Sequence, residues 1–384
     1  MYFHHSHKKR GTITIQVVCA IAFCLFSFIW LFWSQPDVLT VAQHAFSNGQ
    51  THYNRTIGAI IITLVLLLLQ QIVSNSLNLN KRVHALTYVP SMLALAEISN
   101  YTYEMGISFP WLKISITVLV VLLLWAAAVW MSRQALLNDL EKAPTHLFSR
   151  RSWVNLFMML VMMLTVAYIG NTNAVFHFRA HSEVAIMQGN YNEALRTGFK
   201  SNETDVSLTM LRVFALSKQG LLGERLFEYP VSGRSQDLLP LRGSKSRLLF
   251  IPSDSIYCHL GARPIGIHSP IRYFDLLEKD SLATPAVADY RLCAYLIDKK
   301  LSDFVTYLPQ YYDINGSLPK FYREALTLYV HSTRNPSIDF SHEVMNEDWE
   351  NFQSLVKAVK NKTEKDDRLY EQYSNSYWYY YFYQ

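Results

Sequence analysis

Four long apolar runs dominate the first 171 residues: Thr12–Trp33, Ile57–Val73, Pro110–Met131 and Trp153–Gly170. A helix needs about 20 mostly apolar residues to cross a hydrocarbon core of about 30 Å, so each run predicts a membrane span. A fifth run, His84–Ile98, is shorter and carries Pro90. It reads either as a further crossing or as a re-entrant or interfacial helix. From Thr172 onward the pattern changes to short segments of helical periodicity punctuated by glycine and proline, which predicts paired amphipathic helices. The expected fold is therefore all-α, with a transmembrane bundle of about five spans over 1–171 and a soluble region of helical hairpins over 172–384.

Charge separates the same two regions. Of 35 Lys/Arg and 30 Asp/Glu, 11 and 5 precede Thr172, leaving 24 and 25, so the net +5 divides into +6 and −1. The basic character belongs to the membrane part. The soluble part is balanced, with cations scattered along it, which argues against a nucleic-acid partner.

Loop cations set the orientation, because Lys and Arg stay on the cytoplasmic side. With five spans, Lys8, Lys9, Arg10, Lys81, Arg82, Arg133, Lys142, Arg150 and Arg151 fall inside and Arg55 outside, while Lys113 sits within a span near its outer end. That predicts a cytoplasmic amino terminus and an extracytoplasmic carboxyl-terminal domain, as in a multi-pass protein of a cell inner membrane. The first run follows a basic cluster as a secretory signal would, but its core is too long and no small-x-small site follows, so it reads as a retained anchor. Ionisable residues are scarce within the runs; Glu97 and Lys113 lie near the outer interface, which disfavours an autonomous transporter. Trp30, Trp33, Trp111, Trp125, Trp130 and Trp153 cluster toward span ends as an interfacial belt.

The stretch "MQGNYNEALRTG", 187–198, carries the clearest local signal beyond the spans. Gly189, Tyr191 and Ala194 match the internal pattern of a tetratricopeptide repeat, in which two helices meet at the glycine and a small residue lets them approach. Gly220 answers Gly189 in a second hairpin, at a spacing of 31 rather than about 34 residues. Arg225 stands where a small alanine belongs, so regular repeats are open to question. "RLCAYLIDKKLSDFVTYLP" and "LPKFYREALTLYVHS" supply further amphipathic helices. Ordinary helical hairpins without a groove explain the pattern as well as a repeat solenoid does.

Between these hairpins, 230–272 is rich in Gly, Pro and Ser and predicts a polar surface loop with a short extended run at Arg247–Ile251. It holds Ser253, Asp254, His259 and His268, but no spacing organises them: G-x-S-x-G, H-E-x-x-H and glycine-rich phosphate loops are absent from the sequence. No catalytic, cofactor or metal residue is assigned, and no cofactor is expected. His4, His5 and His7 read as a tail, Cys19 and Cys24 as span packing, and a Cys258–Cys293 bridge is left open. The chain closes on "YSNSYWYYYFYQ", whose aromatics either dock into the helical domain or form a partner platform around Tyr377 and Trp378. Tyr191 and Tyr229 are the other candidate partner contacts.

The spans together with "RAHSEVAIMQGNYNEAL", "LPKFYREALTLY" and "YSNSYWYYYFYQ" resemble an uncharacterised bacterial family of integral membrane proteins with a repeat-like soluble tail. The resemblance implies a bacterial, Gram-negative inner-membrane setting and brings no activity or functional residue with it. Two expectations follow. The first is a non-catalytic scaffold or adaptor in the bilayer, displaying a helical domain that holds a protein or envelope-polymer partner. The second is an envelope enzyme, or a subunit of one, acting on a glycan or lipid-linked substrate through 230–272.

Overall fold

The computed structural model describes residues 4–77, 79, 81–101, 111–137, 150–266, 269–358 and 362–384. Among these residues the regular structure is entirely helical, as the periodicity predicts. The chain divides into two compact units, Met1–Asn173 and Ala174–Gln384.

The first unit contains α1 His4–Ile29, continued by a π-helical turn Trp30–Ser34, then α2 Pro36–Ser47, α3 Arg55–Leu77, a 3₁₀ stretch Lys81–Tyr88 leading into α4 Val89–Ser99, α5 Trp111–Leu137 and α6 Arg150–Ile169. Three segments are long and apolar enough to cross a membrane: Ile15–Ser34, Arg55–Leu77 and Ser152–Ile169. In α5 the described apolar stretch is Val118–Ser132, and Pro110 lies outside the described residues. On α3, Ile57, Ile60, Ile61, Leu64, Val65, Leu68 and Ile72 form one exposed apolar stripe, while Ala59 and Leu66 face inward against Phe23, Met92 and Leu95. A stripe of that length is costly in water and suited to lipid.

The run that looked weakest in sequence is wound in two modes. Lys81–Tyr88 is 3₁₀ with a break at Val83, and α4 begins with Pro90 in its first turn. Pro90 has no N–H to give the carbonyl of Leu86, four residues earlier. The indole of Trp125 donates to that carbonyl instead, at 2.9 Å. Other hydrogen bonds hold the same region: Asn155 accepts the Ala85 N–H at 2.8 Å, Gln70 donates to Thr87 at 2.9 Å, and Ser91 donates to the Leu66 carbonyl at 2.8 Å. Irregular backbone is tolerated among apolar helices only when neighbours satisfy it in this way.

The second unit runs through α7 Ala174–Met187, α8 Tyr191–Arg196, α9 Val206–Lys218, α10 Leu222–Arg225, α11 Ser253–Leu260, α12 Pro270–Lys279, α13 Ala286–Ile297, α14 Leu301–Tyr311, α15 Lys320–Ser332, α16 Glu343–Ala358, α17 Lys362–Tyr373 and α18 Tyr377–Tyr383. Nearly all of α9 and α13 is buried, along with most of α15, and these three form the centre. Asn190 caps α8 through the Glu193 N–H, and Asp205 caps α9 through the Leu208 N–H at 2.7 Å.

Two expectations change here. The 230–272 stretch is not a polar cover. Leu238, Leu239, Leu241, Leu249, Phe250, Ile251, Ile256, Tyr257 and Leu260 are buried, because this segment supplies one wall of the core. Arg247–Ile251 joins no strand among the described residues. The Glu183 carboxylate takes its N–H groups instead, from Leu249 at 2.9 Å, Phe250 at 2.7 Å and Ile251 at 3.1 Å.

Candidate functional site

The first hairpin packs as its small residues allow. Ser182 on α7 donates to the Ala194 carbonyl on α8 at 3.1 Å, both residues being buried. Gly189 makes the turn with φ +73° and Gly220 makes the next with φ +67°, and a Cβ at either would meet nothing within 4 Å. Both glycines therefore serve backbone conformation, and Ala194 and Ser182 serve close approach.

Beyond α8 the chain bends through Gly198 and leaves a groove of about 930 Å³. Phe178, Asn192, Leu195, Arg196, Phe199, Lys200, Ser201, Arg225 and Tyr229 line it. Its volume is within the range of small-ligand sites, about 300–1,000 Å³. Tyr229 is the only one of the four expected partner-contact residues in the lining, and it is a mostly buried floor. Its ring lies 5.1 Å from the Arg212 guanidinium and its hydroxyl accepts from Arg225 at 3.4 Å. Burial lowers the Arg212 pKa to about 10 against the opposing pull of Tyr229 and Asp205. Arg225 is held by Glu228 at 2.8 Å. Tyr191 is half-buried against the core beside this groove and does not line it.

Of the two readings of the aromatic tail, docking into the helical domain is the one that Tyr377 and Trp378 follow. They are 0% and 2% exposed, so they are core residues and offer no surface to a partner. Phe227 meets Tyr377 edge-on at 5.0 Å and Tyr380 at a tilt at 4.7 Å, and Trp378 meets Trp349 at 5.3 Å. The tail docks because a run of aromatics hides more apolar area inside a helical domain than in water.

A second cavity, about 520 Å³, is lined by Ser217, Lys218, Ser255, Cys258, His259, Thr284 and Asp289. Ser217 Oγ and His259 Nε2 are 2.9 Å apart. Burial, helped by Lys218, lowers the His259 pKa to about 4. A serine beside a neutral imidazole invites comparison with a nucleophile and its base. Here the cation beside His259 opposes the imidazolium that base catalysis must form, and Asp289 accepts from Tyr312 and Tyr322, at 2.7 and 2.8 Å, rather than from the imidazole. Of the residues singled out in sequence, Asp254 pairs with Arg263 at 3.3 Å on the surface and Ser253 opens α11; neither lines this cavity. His268 lies outside the described residues. Cys258 is exposed, and Cys293 is buried with Sγ 3.6 Å from the Tyr322 hydroxyl, so the two are unpaired.

Sequence reading missed Phe178, Arg196, Phe199 and Lys200. For Arg196, Phe199 and Lys200 the signal was present in "LRTGFK", 195–200: a glycine turn that sets an aromatic between two cations. It is too short to stand out without the fold.

The described residues thus define a helical protein with apolar helices suited to a membrane and a second helical unit carrying a basic, aromatic-edged groove. The chain belongs to the family of unknown function DUF6057, whose pattern matches residues 98–264 and 268–384. No curated protein and no solved structure matches it significantly.

Proposed function

We propose that this is a membrane-anchored binding protein: a multi-pass bundle that displays the 174–384 unit outside the cytoplasm, where the groove between α8 and the 198–201 turn holds an envelope partner without transforming it. The observation that carries the reading is the open groove itself, with three aromatics and three cations converging on one side of the first hairpin. The five-span topology is part of the proposal. Past the break at Val83, the 3₁₀ residues His84–Tyr88 and α4 together rise about 26 Å, from about 2.0 Å per residue over the first and about 1.5 Å over the second, a few ångströms less than a hydrocarbon core of about 30 Å and within the reach of a short span with its flanking residues. A tetratricopeptide-like character is supported by the Gly189, Tyr191 and Ala194 hairpin, while the short α8 and α10 make its repeats unequal.

A photo-crosslinking residue placed at Phe199 in the full-length protein, activated in its native membrane, tests the reading. Capture of one discrete partner that is lost when the crosslinker is moved to Leu282, an exposed position off the groove lining, supports it. Equal capture at both positions counts against it. An alkaline phosphatase fusion after Gln384 should be active, and an inactive fusion beside an active cytoplasmic reporter overturns the topology.

A further inference from the structure

We propose that the groove binds an anionic sugar, its phosphate or carboxylate held by Arg196 and Lys200 and its ring laid on Phe199. This rests on the groove being the binding face argued above and adds the class of ligand.

The hydrogen-bonding inventory of the lining is lopsided. Its side-chain acceptors are already engaged, Asn192 Oδ1 by Gln219 at 2.9 Å and Ser201 Oγ by the Glu203 N–H at 3.1 Å, and the Arg196 carbonyl accepts the Phe199 N–H at 3.2 Å. The Gly198 carbonyl accepts twice, from the Ser201 N–H at 3.1 Å and from Arg212 at 3.3 Å. Donors remain. Arg196 and Lys200 are exposed and make no side-chain hydrogen bond or ion pair among the described residues, and no carboxylate lines the groove. A peptide brings N–H and C=O groups in equal number, whereas the free charged side chains here can answer only acceptors. A phosphate or carboxylate only accepts, which is what free guanidinium and ammonium groups satisfy.

The aromatic component favours a ring over a bare anion. Phe199 is 45% exposed, and it meets Tyr229 edge-on at 5.3 Å and 75°. Behind it Gly198 turns with φ +65°, so close to Phe178 that a Cβ there would come within 2.7 Å of that ring. The Phe199 ring is thus an exposed apolar face fixed beside two unpaired cations. Such a face buries the C–H side of a pyranose while the cations take its charged substituent.

Isothermal titration of the full-length protein in phosphatidylcholine nanodiscs tests this with five probes: glucose 6-phosphate, trigalacturonate, uncharged maltotriose, inorganic phosphate and a penta-glutamate peptide. Either anionic sugar should bind at least about tenfold more tightly than maltotriose and inorganic phosphate. The Arg196→Gln/Lys200→Gln variant and Phe199→Ala should each lose about tenfold in affinity with unchanged thermal unfolding, since all three side chains are substantially exposed. Inorganic phosphate binding as well as the sugars removes the ring from the proposal, and penta-glutamate doing so replaces the sugar by an acidic peptide. Loss of the sugar signal when the nanodiscs carry phosphatidylglycerol assigns the groove to a lipid phosphate and overturns the sugar; an unchanged signal supports it. If neither anionic sugar binds while the crosslink at position 199 still captures a partner, the ligand class fails and the binding-protein reading stands. Failure of both ends both.

Discussion

Glu324 on α15 accepts the backbone N–H of Tyr377 at 2.6 Å, and its own carbonyl accepts the indole of Trp378 at 2.8 Å. One buried residue therefore fixes the start of α18 from both its side chain and its main chain. The carboxyl is also 3.8 Å from Lys320. Burial still dominates and raises its pKa to about 7, against the pull of Lys320 and the Tyr377 N–H.

The sign of the resulting pH dependence is fixed. The folded state holds the Glu324 proton to about pH 7, whereas the unfolded chain releases it near 4.3, so this residue removes stability as pH rises from about 4.3 to 7. His259 works the other way: held neutral down to about pH 4, it removes stability as pH falls from about 6.5 to 4. Thermal unfolding followed by tryptophan fluorescence should show a shallow wild-type profile across pH 4.5–7.5. Relative to wild type, Glu324→Gln should tilt the profile toward stability rising with pH, and His259→Gln should tilt it toward falling, with buried Glu183, whose pKa burial also raises, adding to the fall in both. Two parallel profiles would refute the assignment.

Glu183→Ala should cost about 3 kcal/mol or more, because the carboxylate is the shared acceptor for three buried N–H groups of 249–251 and each lost partner costs about 1–3 kcal/mol. Glu183→Gln should recover only part, since its amide turns a donor toward those donors. Limited proteolysis should then open first near Arg247. A protected 247–251 segment in Glu183→Ala would contradict the role.

Arg291 is buried yet reaches Asp275 at 2.7 Å and Glu278 at 2.9 Å, with its guanidinium 4.9 Å from the Tyr307 ring. Tyr311 donates to the same Glu278. A lysine cannot hold two carboxylates and a ring face at once, so Arg291→Lys should lower stability by about 2 kcal/mol in a denaturant titration. A neutral outcome would show that the fork geometry contributes little.

Gly189→Ala should cost about 1 kcal/mol, the penalty of a left-handed residue with open space around it. Gly261→Ala should prevent stable folding, since at φ +140° its Cβ would lie 2.0 Å from the Leu282 carbonyl oxygen. Expression and unfolding temperature of the two variants should differ sharply; similar behaviour would mean that the 261 turn yields.

The helical character and three of the membrane-length apolar runs were legible because helical periodicity and apolar run length are local properties. Gly189, Tyr191 and Ala194 marked a hairpin correctly for the same reason. Residues 230–272 misled because turn-forming residues outnumber apolar ones there, yet its Leu and Phe positions find a core through Glu183, a partner 66 or more residues away. Tyr377 and Trp378 show the same limit, since composition announces an aromatic tail without saying which cavity receives it. The groove was hidden because it joins α8, the 198–201 turn and Tyr229 only after folding.

The tight winding of Lys81–Tyr88 bears on how spans are counted. Past the break at Val83, five residues that each gain about 0.5 Å over an α-helix reach about 2.5 Å further, the equivalent of nearly two additional residues of ordinary helix. A proline that spoils the hydropathy score, compensated by one tryptophan from a neighbour, then marks a segment built with fewer letters than its length. Topology scales that convert residue number directly into thickness will undercount such segments, and the error will be largest where a neighbouring side chain, invisible to a sliding window, supplies the missing hydrogen bond.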